Sequence, residues 1–208
     1  MPDDRNGPQS VSATPLELLR TPPPPKERSD AARNRAAILD AAAELFAEHG
    51  VESVSMDQVA EAAGVGKGTL FRRFGDKAGL AVALLDARER ALQEAVLSGP
   101  PPLGPGAPEA ERLLAFADAY LDYALAHLPL VRMSETASVG ARYRIGAYRF
   151  WHRHVTILLP RSPDAASTAH ALLAGVAAEH LSAIVPEIGE HRVRAGIRRL
   201  WAAAGEAG

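Results

Sequence analysis

The sequence predicts an all-α protein, and three observations carry that prediction. No run of residues alternates apolar and polar over the length of a strand. Alanine, leucine, arginine and glutamate, all good helix formers, dominate instead. Prolines cluster and leave helix-length intervals between them: none occurs from Lys26 to Gly99, and Pro129, Pro160, Pro163 and Pro186 punctuate the second half. An interior proline costs a helix about 3 kcal/mol, so these positions are expected boundaries.

Composition narrows the class further. The chain has 208 residues, 47% of them hydrophobic and 23% charged, which is enough apolar material for a core and places it outside the disordered and membrane classes. Its formal net charge is only −2, so a nucleic-acid partner must be argued from where the basic residues sit. The absence of cysteine excludes a disulfide framework, a thiolate metal site and a thiol nucleophile, and agrees with a reducing compartment. No continuous apolar signal segment opens the chain, and the small-apolar stretch from Ala165 to Val185 is interrupted by His170, Glu179 and His180. The expectation is a cytoplasmic protein with no membrane span, no cofactor and no metal.

The elements follow in order. Residues 1–28, ending in the run Pro22 to Pro25, read as a disordered proline-rich tail. A first helix from Asp30 carries Ile38, Ala42, Leu45, Phe46 and His49 at helical spacing and stops at Gly50. Ser55 and Gln58 form a capping box, with Val54 and Val59 as its staple, and open a second helix that ends at Gly64. A third runs from Lys67 to Phe74, and Gly75 and Asp76 stop it and start a fourth that continues to about Leu97. After a linker from Gly99 to Pro108, helices are predicted over Glu109–Leu128, Gly140–Leu159, Asp164–Val185 and Glu187–Ala204.

Two short helices joined through Gly64, Val65 and Gly66 have the form of a helix-turn-helix, in which the first braces the second against DNA. Residues 29–75 are the predicted head and 76–208 the body. On the second helix of the turn, Leu70 and Phe74 form the buried side, while Lys67, Gly68, Thr69, Arg72 and Arg73 project outward. Gly68 admits a close backbone, Thr69 reaches a phosphate or a thymine methyl, and the arginines take phosphates or guanine edges. Lys77 adds a cation beside the same surface. Lys26, Arg28, Arg33 and Arg35, mixed with Glu27 and Asp30, either flank DNA or face solvent. A nucleotide site built on Gly64, Gly66 and Gly68 fails, because the element before them is a helix and Lys67 is followed by Gly68.

The run from Ile38 through Ser55 and Gly64 to Lys77 resembles the DNA-binding domain of the TetR family of bacterial transcriptional regulators. The resemblance implies an all-helical homodimer with a three-helix DNA-binding head, a body that binds a small effector, and Lys67–Phe74 as the recognition helix. It implies a repressor released from a palindromic double-stranded operator by a small molecule. Two positions depart from the family: Phe71 stands where a tyrosine often contacts a phosphate, and Gly66 where a polar residue is common. A ligand-independent regulator or activator shares the same head. A helical enzyme is the rival from another class, but the sequence shows no HExxH, thiol or serine motif.

In the body, Phe116, Tyr120, Tyr123, Tyr148, Trp151 and His152 gather aromatic and polar-tipped side chains on two helices, the composition of a ligand pocket. Arg142, Arg149 and Arg153 fall on the opposite face, most simply toward solvent, with an anion site lined by them as the alternative. The last two predicted helices offer a dimer contact through Leu172, Val176, Leu181, Ile197 and Trp201, since the first of them is apolar around more of its circumference than one neighbour covers.

Overall fold

The computed structural model describes residues 25–206 apart from residue 161, with side chains from Asp30 onward. Eleven α-helices and no strand occur among these residues.

α1 (Pro25–His49) starts earlier than predicted, because Pro25 takes the first-turn position where a missing N–H costs nothing. The last four residues of the predicted tail therefore belong to this helix, and the rest of the tail lies outside the described residues. Gly50, at φ +79°, ends α1 and donates its N–H to the Phe46 carbonyl at 3.0 Å. The capping box before α2 (Met56–Ala62) is complete: the Gln58 N–H donates to Ser55 Oγ at 3.2 Å, and the Ser55 N–H to Gln58 Oε1 at 2.8 Å. Gly64, at φ +64°, then turns the chain so that the Val65 N–H reaches the Ala60 carbonyl at 3.0 Å. α3 (Lys67–Phe74) follows, and Asp76 caps α4 (Lys77–Ser98) by accepting from the Gly79 N–H at 2.8 Å.

Ile38, Ala42, Phe46, Val54, Val59 and Leu70 form the head core, and Leu80 from the first turn of α4 completes it. α4 then runs on into the body, so one rigid helix belongs to both units.

The body departs from the predicted elements in four ways. α5 (Glu109–Ala126) ends two residues early, and a helix not foreseen, α6 (Leu128–Thr136), begins directly after His127. Pro129, a breaker by its position in the sequence, sits in the first turn of α6, where proline is tolerated. The predicted helix over 140–159 is two, α7 (Ala141–Arg144) and α8 (Gly146–Ile157), parted by the extended Ile145 at φ −66°, ψ 133°. The predicted helix over 164–185 is also two, α9 (Ala165–Ala174) and α10 (Ala178–Ile188), parted by the extended Ala177. α10 carries Pro186 in its last turn and stops at Gly189, which delays α11 to Glu190–Glu206.

Within the body α5 lies against α11, α6 against α4 and α10, and α8 against α9. The enclosed core holds Leu113, Phe116, Leu121, Trp151, Leu173 and Trp201. Leu172, Val176, Leu181, Ile197 and Trp201, predicted to meet a second copy, are all buried in this same core. α5, α6, α8 and α11 of the same chain cover the large apolar side chains of α9 and α10, while Ala166, Ala171, Ala174 and Ala183 stay exposed. That correction removes the five residues as an exposed interface. No single helix among the described residues is long and apolar enough to cross a membrane; α9 and α10 together have the length and composition but are bent by 50° at their break.

Candidate functional site

α3 is held to the head by one fully buried side chain, Leu70, and by the half-buried Phe74. The remainder faces outward: Lys67, Gly68, Phe71, Arg72 and Arg73 are exposed, and Thr69 is half-buried beside them. Arg72 and Arg73 pair with no acidic group among the described residues. Lys67 is engaged by Asp57 of α2, Nζ to Oδ2 at 2.5 Å, across the turn. Phe71 keeps 45% of its surface exposed, so its ring stands on the rim and outside the head core.

Lys77 requires a correction. It is not a free outward cation, because its Nζ donates to the carbonyls of Val51 at 2.9 Å, Glu52 at 3.0 Å and Val54 at 2.9 Å. An ammonium has three protons, and all three are spoken for. Lys77 closes the α1–α2 connection by satisfying carbonyls that no helix uses. Of the flanking cations, Arg33 pairs with Asp30, and Arg35 lies 4.0 Å from Asp86. The side chains of Lys26 and Arg28 lie outside the described residues.

The second site is a cavity of about 20 Å³ in the body, room for little more than one water. Tyr120, Tyr123, Tyr148 and Trp151, four of the six residues expected at a ligand pocket, line it. Phe116 and His152 do not. Phe116 lies deeper, with ring centroids 6.0 Å from Trp201 and 5.0 Å from His154. His152 stacks on His170 at 3.9 Å, and His170 Nδ1 in turn shares a 2.6 Å hydrogen bond with the Tyr148 hydroxyl.

Three charged residues that sequence reasoning did not assign to the cavity complete its wall: Glu89, Glu135 and Arg142. The Tyr123 hydroxyl donates to Glu89 Oε1 at 2.9 Å. Burial raises the Glu89 pKa above its ordinary value, against the hydrogen bond that lowers it. Arg142, expected to face solvent, is only 7% exposed. It pairs with Glu135, donates to the Leu173 carbonyl at 2.8 Å and lies 5.2 Å above the Tyr148 ring. The cause is the break at Ile145, which separates the axis of α7 from that of α8, so the face drawn for one continuous helix does not apply. Arg149 and Arg153, on α8, are exposed as expected. Glu135 also accepts the N–H of Ala178 at 2.8 Å, which caps α10. Burial pushes its pKa up, and Arg142 and this N–H pull it back.

Comparison with known proteins falls mainly on the head. Residues 38–84 match the family model of bacterial regulatory proteins, tetR family. An HTH-type transcriptional regulator of Staphylococcus aureus strain USA300 is 49% identical over 53 residues, 26% of this chain and 29% of that relative; the same holds for one from strain NCTC 8325. The alignment thus spans less than a third of those relatives' length. The fold is shared over most of the chain. The fatty acid degradation regulator FadR from Bacillus halodurans superposes with a TM-score of 0.58 at 15% identity, covering 82% of this chain and 93% of that one. A TetR/AcrR-family regulator from Thermobifida fusca gives 0.58 at 20% identity, covering 81% and 96%. Residues 38–84, with an outward third helix after a tight glycine turn, thus match the tetR family of bacterial regulatory proteins, and the all-helical chain shares the fold of these solved regulators.

Proposed function

We propose that this protein is a cytoplasmic transcriptional regulator, and not an enzyme, that binds a pseudo-palindromic operator as a homodimer. In this reading a small molecule occupying the body releases it, which makes it a repressor. One observation carries the proposal: Arg72 and Arg73 stand exposed on α3 without an acidic partner among the described residues, beside Gly68 and Thr69. Cations without counter-ions on a helix that the fold pushes outward suit phosphates and guanine edges. Residues 29–75 with the start of α4 then act as the DNA-binding unit and the remainder as the effector and dimer unit. Because the predicted dimer residues are internal, the surface for a second copy is assigned to the outer faces of α10 and α11, where Ile188 and Leu200 are exposed.

α6 is the element that connects the two sites. It carries Glu135 into the body cavity, packs Leu130 and Met133 on the head core, and sets Arg132 3.5 Å from Glu52. A ligand that parts Glu135 from Arg142 moves the helix on which the head rests, and so changes the spacing of two recognition helices that must enter grooves about 34 to 36 Å apart. Selection of bound duplexes from a random pool tests the reading. Recovery of a palindrome whose binding is abolished by Arg72→Ala or Arg73→Ala supports it; recovery of no preferred sequence refutes it.

A further inference from the structure

We propose that the cleft where the head meets the body binds an apolar monocarboxylate, its carboxylate held by Arg88 and its hydrocarbon part lodged between α1, α4 and α6. The proposal goes beyond the reading of the body as an effector site and holds whether or not occupancy alters DNA binding.

Small side chains create the cleft. Ala43 and Ala47 on α1 and Ala126 at the end of α5 are exposed and line a common space of about 360 Å³, which larger residues would close. Phe46, Leu84 and Leu130 supply apolar wall around them, one each from α1, α4 and α6. Since α1 belongs to the head and α6 to the body, an occupant touches both units at once. This size, an apolar lining with few polar groups and a place between two units are the attributes of a site for a small organic molecule. Unlike the body cavity, the cleft is already open at that size. Removing the ligand's hydrocarbon and these side chains from water supplies the first part of the affinity.

Charge decides the class of ligand. The cleft is lined by one guanidinium, that of Arg88, by the imidazole of His127, and by no carboxylate. Arg88 is exposed and pairs with no acidic group among the described residues. The acids next to it along α4 are engaged elsewhere: Asp86 pairs with Arg90 and lies 4.0 Å from Arg35, and Glu89 accepts the Tyr123 hydroxyl. A guanidinium presents two parallel N–H groups to a carboxylate, a fit that an ammonium ligand or a neutral one does not use. His127 is half-buried, and its ring nitrogens have no hydrogen-bond partner among the described residues. Burial, with the Arg88 charge adding to it, pushes its pKa down. At neutral pH it is therefore an uncharged ring with one N–H to donate to the same carboxylate.

Calorimetric titration of the full chain with 1-naphthoate tests this, against 1-naphthamide, which keeps the rings without the charge, and acetate, which keeps the charge without the rings. Saturable binding of naphthoate is expected, about fivefold or more tighter than the amide, the size of an ion pair at a partly solvated mouth. Acetate should bind at least tenfold more weakly than naphthoate. Arg88→Gln should bring naphthoate down to the affinity of the amide, and Ala47→Trp, which fills the cleft from an exposed position, should abolish binding of both. No saturable binding of naphthoate at millimolar concentration, or equal affinity for acid and amide, overturns the proposal, and both results are read on the unaltered protein. Unchanged naphthoate affinity in folded Arg88→Gln and Ala47→Trp variants also overturns it, because the ligand then sits elsewhere. The chain's own Leu16, Leu18 and Leu19 are the competing occupant. If their joint replacement by serine in the full chain tightens naphthoate binding tenfold or more, those leucines fill the cleft and the proposal falls.

Discussion

Lys67 Nζ and Asp57 Oδ2 lie 2.5 Å apart across the turn between α2 and α3, so the first cation of the outward helix is held by an acid on the brace. Both side chains are more than half exposed, and such a pair adds little to stability. It does set how much positive charge α3 offers to a phosphate. Asp57→Asn is therefore expected to tighten binding to operator and to scrambled DNA alike, with a steeper salt dependence, while the melting temperature barely moves. Titrations of both duplexes at two salt concentrations check it; an effect confined to the operator means that Lys67 reads a base.

Lys77 and the α3 arginines separate fold from function. Lys77→Met removes three charge-assisted hydrogen bonds to Val51, Glu52 and Val54 and leaves their carbonyls without that donor. A loss of about 2 kcal/mol of stability is expected, on the order of one or two such bonds net of rehydration. Arg72→Ala and Arg73→Ala should leave stability unchanged and weaken DNA binding, with the salt slope falling by about 0.9 for each phosphate that is no longer neutralised. Urea denaturation and binding titrations of the three variants give the contrast directly.

The glycines around the turn are expected to behave oppositely under substitution. Gly66 caps α3 at φ −67°, ψ 138° with no side-chain hydrogen bond, and nothing lies within 4 Å of where a Cβ would stand. Gly66→Ser adds a capping hydroxyl and restricts the unfolded chain, a gain of about 0.5 to 1 kcal/mol. Gly64→Ala forces a side chain into φ +64° and should cost about 1 kcal/mol or more. At Gly79 a Cβ would meet the Phe74 carbonyl oxygen at 1.9 Å, so Gly79→Ala must move the start of α4 and is expected to be the most damaging of the three. Thermal melts rank them.

The same local rules explain which features are legible in the sequence. Ser55 with Gln58, Gly64 and Asp76 act on backbone within a few residues of themselves, so the capping box, the turn and α3 follow from sequence alone. The burial of Arg142 does not, because it depends on a break at Ile145 and on partners at Glu135 and Leu173 from other helices. Pro129 misleads for a related reason: a proline signals a boundary, but the chain can place that boundary at a helix start. The apolar circumference of α9 and α10 shows that covering is needed. Only the packing of α5, α6, α8 and α11 shows that the same chain supplies it for the large side chains and leaves the alanines exposed.

His154 gives the body an acid-sensitive element. It is buried edge-on to Phe116 at 5.0 Å, and its Nε2 finds no partner. Burial, with the Arg112 charge adding to it, pushes its pKa down to about 4. As pH falls below about 6.5 the unfolded chain takes up a proton that the folded chain refuses until about pH 4, and stability declines through that window by up to about 3 kcal/mol. Glu89 and Glu135 act in the opposite direction, because their raised values let the fold accept protons before the unfolded chain does. His154→Leu should remove the histidine's part, leaving a melting temperature that falls less between pH 6.5 and 4.5 than that of the unaltered protein. Parallel slopes for the two proteins would show that His154 titrates normally.

Phe71 carries the last prediction. The ring is 45% exposed beside Arg72, so it packs on the rim of the head without a hydroxyl to offer. Phe71→Tyr places an oxygen at the solvent-facing end and should leave the stability of the free protein within about 0.5 kcal/mol, as for other surface changes. Against DNA, the hydroxyl has a charged acceptor if α3 lies along the backbone as proposed, and one such bond contributes at most about 1.5 to 3 kcal/mol. Water already solvates the phosphate, so a gain in affinity of roughly three- to tenfold is the expected size. A phosphate contact carries no sequence information, and the gain should therefore appear equally on operator and scrambled duplexes. Titration of both proteins on both duplexes measures it. A gain on the operator alone would place Phe71 over a base, and an unchanged affinity on both would place the rim away from the backbone and confine contact to Thr69, Arg72 and Arg73.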